Sequence, residues 1–356
     1  MSNPSNRYLD SQKASIIKKI QTMEKSMPTY TKDFFSFYLS VKNAQPRTVL
    51  GYAYDLDVFF YYITESNPSI KDAVSVSVDI LDNLEAQDIQ EYLVFLTSYE
   101  RDGKTYQNSA TGKARKLSAL RSLYKYLQNM KMLKNNPTVL IPNPKLKKKA
   151  IIMMENDEVE DFVDNVESGE TLTAKQKEAC DKMKERDIAI VTLLLRTGIR
   201  ISELVGLDLD DINMKNRSIR IIRKGGNESY AYFDGETMYA IQSYLDNERP
   251  KDTSLTALFI SRKGSRLSVR SVERMVKKYS AVIPNKHITP HKLRSTFATQ
   301  LYRETNDIYL VKDALGHESV NTTARYADIG NNRRQEVPKL IDKAYERITE
   351  KKFYEK

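Results

Sequence analysis

Six polar side chains in the C-terminal half have the types and contexts that suit phosphoryl transfer to a tyrosine: Arg200, Lys224, His291, Arg294, His317 and Tyr326. Arg200 stands in Thr-Gly-Ile-Arg-Ile-Ser-Glu-Leu (197–204), and Lys224 in Arg-Lys-Gly-Gly-Asn (223–227). His291 and Arg294 share Pro-His-Lys-Leu-Arg-Ser-Thr-Phe-Ala-Thr (290–299). His317 follows Leu315-Gly316, and Tyr326 comes nine residues later. Two guanidinium groups converging on one phosphate can each donate paired hydrogen bonds and stabilise a pentacoordinate transition state. A lysine on a hairpin tip can protonate a leaving 5′-oxygen. A tyrosine, with an ordinary pKa of about 10, needs a cationic neighbourhood or a base to act as a nucleophile. Glu203, three residues after Arg200, is expected to orient a basic group rather than to bind metal. Each residue also has a plainer reading: a capping histidine, a turn lysine, a surface ion pair, or one of 22 tyrosines that serve the core. The complete set, and the spacing of Tyr326 from His317, favour the chemical reading.

Rigid elements must position these groups. Thr289 is placed as an N-cap with Pro290 at the first helical position. His291 and Arg294 then lie three apart on one helix face, near an N-terminus that favours an anion, while Phe297 and Leu301 anchor the other side. An apolar helix over 186–196 ends at the Gly198 turn, and a second helix starts at 199–205. Two β-prone runs, 218–222 and 229–233, form a hairpin with its tip near Lys224. Helices follow over 236–248, 268–280, 290–303, 307–315 and 319–327. Gly316 ends one of them and gives His317 a defined exit. A last amphipathic helix is expected at 336–349, with Val337, Leu340, Ile341, Ala344 and Ile348 on one face.

The first half reads as helical from Tyr30 to about Leu140, after a polar segment, 1–27, with a sparse stripe at Ile16, Ile20, Met23 and Met27. Its helices fall near 48–63, 88–99 and 108–130. The last of these carries Ala114, Leu117, Leu120, Tyr124 and Leu127 on one stripe. Lys113, Arg115, Lys116 and Arg121 lie on the same helix as candidate phosphate contacts. Residues 141–150 read as a linker: two prolines forbid a helix, and Lys145, Lys147, Lys148 and Lys149 repel one another and could neutralise phosphates. The expected division is an extension at 1–27, a helical unit at 28–140, a basic linker at 141–150, a second unit at 151–330 and a tail at 331–356.

Composition narrows the partners. The 356 residues carry a formal net charge of +10 with a pI near 9.2, which favours a polyanion. No apolar run reaches a membrane span and the opening residues lack a signal-peptide core, so a cytoplasmic location and no membrane partner are expected. The single Cys180 excludes an intramolecular disulfide, and three histidines with one cysteine argue against a Cys/His zinc site. Asp208, Asp210 and Asp211 read as an acidic turn. Gly103-Lys104-Thr105 mimics the end of a P-loop, but Ser98 stands where its first glycine should be.

These motifs resemble the tyrosine recombinase (phage-integrase-like) family. Within it they look most like the Xer type and its single-protein XerS branch. Met27-Pro28-Thr29-Tyr30, Lys184-Glu185-Arg186-Asp187-Ile188-Ala189-Ile190, Tyr279-Ser280 and the 290–294 motif carry the likeness, which spans about residues 25–330. Ser295 is a departure, since many members have a histidine there. The resemblance implies a mainly α fold: an all-helical, SAM-like core-binding domain and a mainly helical catalytic domain with a small antiparallel sheet, closing as a clamp on double-stranded DNA. It implies that Arg200, His291 and Arg294 bind the scissile phosphate, Lys224 is the general acid, His317 assists, and Tyr326 forms a 3′-phosphotyrosyl bond. Because that bond conserves the phosphodiester energy, neither ATP nor a metal cofactor is expected. It further implies a homotetramer on two dif-like sites in chromosome-dimer resolution, with a septal DNA translocase as activator. The 336–349 stripe is expected to dock on a neighbouring protomer. Integration of a mobile element, a type IB-like topoisomerase and an inert DNA-binding protein are the alternatives.

Overall fold

The computed structural model describes residues 4–145, 151–223 and 226–327. Lys224, Lys147, Lys148, Lys149 and the 336–349 helix lie outside the described residues. The contacts divide the chain into two compact units, within 6–149 and within 150–356.

The first unit contains α1 (Pro4–Met23), α2 (Thr29–Ser40), α3 (Pro46–Ser66), α4 (Val78–Asp82), α5 (Ala86–Phe95) and α6 (Ala110–Asn129). Its core is dense in aromatic side chains: Phe34, Phe35, Phe59, Phe60, Tyr92 and Tyr124 are all fully buried. Such rings each bury a large area and lock by edge and tilted contacts, as Phe59 does with Tyr92 at a centroid distance of 5.2 Å. Ile20 from α1 and Met27 join this core. Helix α6 presents Leu117, Leu120, Tyr124 and Leu127 to it, as their spacing requires.

The expectation of helix throughout this unit fails at one place. Strands β1 (Tyr99–Arg101) and β2 (Lys104–Tyr106) form an antiparallel hairpin in which Arg101 faces Lys104. The turn residues Asp102 and Gly103 both have positive φ, 52° and 68°, which an Asp-Gly pair tolerates and which matches strand twist. Tyr99 stacks on Tyr106 across the hairpin at 5.3 Å. The helix expected at 88–99 therefore stops at Phe95.

The second unit contains α7 (Asn156–Ser168), α8 (Ala174–Asp181), α9 (Lys184–Thr197), α10 (Ile201–Gly206), β3 (Ile212–Asn213), β4 (Ser218–Ile222), β5 (Glu228–Tyr232), α11 (Gly235–Ser243), α12 (Val269–Tyr279), α13 (Pro290–Thr305), α14 (Ile308–Leu315) and α15 (Val320–Ala327). Helix α9 runs through its centre, with Ala189, Ile190, Val191, Leu193 and Leu194 buried. The sheet is antiparallel in the order β3-β4-β5. Two of its inward residues, Ile219 and Ile221, enter the main core. A smaller cluster joins Ala298 of α13 to Val311 and Leu315 of α14 and Tyr326 of α15, so a core contact fixes the tyrosine-bearing helix.

Candidate active site

Three left-handed turns build the site. Helix α9 ends at Gly198 (φ +61). A Cβ there would stand 2.2 Å from Cδ1 of Phe297, so the glycine serves both the turn and the packing of α13. Helix α13 starts at Pro290 and ends at Asn306 (φ 56). Asp307 caps α14 by accepting from the N–H groups of Tyr309 (2.8 Å) and Leu310 (3.1 Å). Helix α14 ends at Gly316 (φ +59). Thr289 occupies the N-cap position of α13 but makes no side-chain capping bond; proline at the first helical position defines that start.

Arg294 is the buried centre. It is 4 % exposed. One Nη donates to the Gly198 carbonyl and the other to the Leu315 carbonyl. Both carbonyls lie at helix C-termini, where backbone dipoles favour a cation. Burial, and next the Arg200 charge, lower its pKa to about 10, so it remains cationic at neutral pH.

Arg200 is the N-cap residue of α10. Its N–H donates to Oε2 of Glu203 at 2.7 Å, and its Nη1 donates to Oε1 at 2.9 Å. Glu203 is buried, and its side chain holds Arg200 twice. The expected orienting role thus has a geometric basis, and the ion pair is not a surface one.

His291 is exposed overall, one position after Pro290. Partial desolvation of its ring, then Lys292, Arg294, Arg325 and Arg200, push its pKa down. His317 leaves the Gly316 turn with its N–H donating to the Lys312 carbonyl at 3.0 Å. Its Nδ1 lies 2.8 Å from Oγ1 of Thr323, a buried residue of α15. Burial first, then Arg294, Arg200, Arg223 and His291, lower its pKa to about 4. Tyr326 is 4 % exposed and lies within electrostatic range of Arg294. Among the described residues, five of the six predicted groups therefore share one electrostatic neighbourhood. A buried guanidinium, Arg294, beside a second one, Arg200, and two partly desolvated imidazoles suits an anion.

Sequence reasoning missed Arg223. Its Nη2 donates to the Ala314 carbonyl at 3.2 Å. Its guanidinium packs so closely on Gly316 that a Cβ there would stand 1.3 Å from Nη1. Burial, with Arg200 nearby and Glu203 opposing, lowers its pKa. No local pattern pairs position 223 with residues some ninety positions later.

The candidate DNA-contact residues separate by surroundings. Lys116 is 8 % exposed and pairs with Asp55 at 3.3 Å. Arg121 donates to the carbonyls of Thr138 and Ile141 and to Asn143. Both are therefore engaged inside the first unit, against the expectation that they face phosphate. Arg115 also reaches Asp55, at 2.7 Å, but stays 57 % exposed. Lys113 donates to Thr97 Oγ1, and Lys145 is exposed. The acidic turn is occupied by arginines: Arg266 meets Asp208, and Arg220 meets Asp211.

Comparison with known proteins gives concordant results. Residues 152–333 match the phage integrase family, and residues 31–131 match the phage integrase N-terminal SAM-like domain. Tyrosine recombinase XerC of Caldanaerobacter subterraneus subsp. tengcongensis is 33% identical over 334 residues, covering 90% of this chain and 88% of the relative. Tyrosine recombinase XerS of Lactococcus lactis subsp. cremoris is 32% identical, covering 89% and 96%. Among solved structures, XerH bound to a palindromic difH substrate in a post-cleavage complex has a TM-score of 0.63 at 23% identity, covering 85% of this chain and 82% of that one. A lambda integrase dimer on a COC′ core site has a TM-score of 0.60 at 16% identity, covering 84% and 94%. These two likenesses establish the fold.

Proposed function

The chain belongs to the phage integrase family of tyrosine recombinases and is a site-specific DNA recombinase; from that premise we propose that it cuts and rejoins DNA through Tyr326 at a dif-like site, in chromosome-dimer resolution. The observation that carries the residue assignment is the convergence of Arg200, His291, Arg294 and His317 on the neighbourhood of Tyr326, with Glu203 holding Arg200.

The side chains take distinct roles. Arg200, Arg294 and His291 receive the non-bridging oxygens of the scissile phosphate and offset the charge that grows in the transition state. The Tyr326 oxygen attacks phosphorus and its proton leaves to a base or water. The phosphorus–O5′ bond breaks, and Lys224 donates the proton that makes the 5′-hydroxyl. His317, neutral and fixed by Thr323, supplies a hydrogen bond to the same phosphate. Attack by a partner strand's 5′-hydroxyl reverses each step and reseals the duplex. The bond energy stays in the phosphotyrosyl link, so the cycle balances without ATP.

In this reading duplex DNA is bound by both units, and Lys113, Arg115, Lys145, Lys147, Lys148 and Lys149 meet backbone phosphates. Four protomers assemble on two sites, the 336–349 segment docks in trans, and a septal DNA translocase serves as an activator of exchange rather than a requirement for cleavage. The names of the XerC and XerS relatives, and the dif substrate of XerH, support this choice over a topoisomerase. A strand-exchange assay tests it: two duplexes carrying a dif-like site should yield recombinant products with wild-type protein. Relaxation of supercoiled DNA without exchange would overturn it.

A further inference from the structure

We propose that Arg223 is a positioning residue for strand cleavage, tying the strand end that leads into Lys224 to the turn that launches His317. The inference rests on the recombinase reading above and adds a residue to it.

Two sets of contacts meet at Arg223. Its backbone closes the hairpin: its N–H donates to the Asn227 carbonyl at 2.8 Å, and its carbonyl accepts from Gly226 N–H at 3.1 Å. Its side chain crosses to the end of α14, where Nη2 donates to Ala314 and the guanidinium lies against Gly316. Gly316 is thus held by two requirements, a left-handed backbone and the absence of a Cβ in the guanidinium's place. The hairpin end and the His317 turn cannot shift independently while this contact stands. Lys224 follows Arg223 directly in the sequence, and in this proposal the tie serves it.

A structural arginine in a protein interior has its donors satisfied. Here Nε and Nη1 are buried, and among the described residues neither has an acceptor. Nearby, Arg200 repels its charge and Glu203 attracts it. The single bond from Nη2 to Ala314 therefore does not by itself account for a full guanidinium at this place. Its positive charge adds to that of Arg200 and Arg294 around His317, which suits a region that must receive phosphate.

The test compares two substrates on full-length protein. One is a nicked duplex with an ordinary scissile phosphodiester. The other carries sulfur in place of the bridging 5′-oxygen, whose thiolate leaves without a proton donor. Arg223→Gln should bind the site within about 2-fold of wild type yet cleave the ordinary substrate at least ~10-fold more slowly, the lower end of a general acid's contribution. On the sulfur substrate most of that deficit should vanish. Arg223→Lys keeps the charge but not the guanidinium fork, and it carries the same comparison if Arg223→Gln does not fold. Ordinary cleavage by the variants, or an equal deficit on both substrates, would overturn the proposal. No covalent adduct from wild-type protein on either substrate would instead overturn the recombinase reading.

Discussion

Glu203 holds Arg200 at both ends, accepting from its backbone N–H at 2.7 Å and from its Nη1 at 2.9 Å. The same carboxylate therefore caps α10 and aims a phosphate-binding guanidinium. Replacing it with alanine removes a cap, which costs about 1 kcal/mol, and frees the Arg200 rotamer. Glu203→Ala should lower the melting temperature and cut cleavage at least ~10-fold, because misplaced groups lose catalysis steeply. Glu203→Gln, which can still accept a hydrogen bond from the Arg200 N–H, should recover most of the stability but only part of the cleavage. Equal recovery of both would show that the carboxylate charge plays no part in aiming Arg200.

Gly198 supports Arg294 indirectly, since its carbonyl receives one Nη and its Cα faces the Phe297 ring. Gly198→Ala places a Cβ on a left-handed backbone, a strain of about 1–2 kcal/mol, and pushes on Cδ1 of Phe297 from 2.2 Å. Denaturant titration should give a loss above ~1 kcal/mol, accompanied by weaker cleavage. A neutral result would mean that α13 tolerates displacement.

His317 gives stability a pH dependence of known sign. Its folded pKa is about 4, below the ordinary value of about 6.5. The unfolded chain therefore binds a proton first as pH falls. The contribution of neutral His317 is complete above about pH 6.5 and is lost between about 6.5 and 4. His317→Gln should remove that part of the slope when the two proteins are melted at pH 7 and pH 5. Parallel melting losses would mean that the histidine is not shielded.

The basic residues of the first unit should fall into two classes. Lys145→Ala, at an exposed position, and Lys113→Ala, at a half-buried one, should weaken DNA binding and each reduce the salt dependence by about one phosphate contact. Arg121→Ala should instead destabilise the unit by about 1–3 kcal/mol, because three oxygens lose their donor. Band shifts over a salt series, read beside melting curves, separate the two.

Much of the site was legible because its cues are local. Pro290, Gly198 and Gly316 punctuate the chain, and helical spacing puts His291 and Arg294 on one face. Helix α7 was missed although Val159, Phe162, Val163 and Val166 follow helical spacing, because acidic residues surround them. Helix α8 buries none of its residues and leaves no stripe to read. The β1–β2 hairpin has only three residues per strand, too few to outweigh the helical pattern beside it. Lys116 looked like a surface lysine because its partner, Asp55, lies 61 positions earlier. Arg223 escaped for the same reason, its contacts being set wholly by tertiary packing.

The most direct test of the account is covalent capture. A nicked duplex carrying a dif-like site is incubated with wild-type protein and with Tyr326→Phe in EDTA, and the products are resolved under denaturing conditions. The account predicts a slow-migrating DNA adduct with wild type alone, joined through Tyr326 to a 3′-phosphate. An adduct formed equally by Tyr326→Phe, or specific binding with no adduct from either protein on any related site, would contradict it.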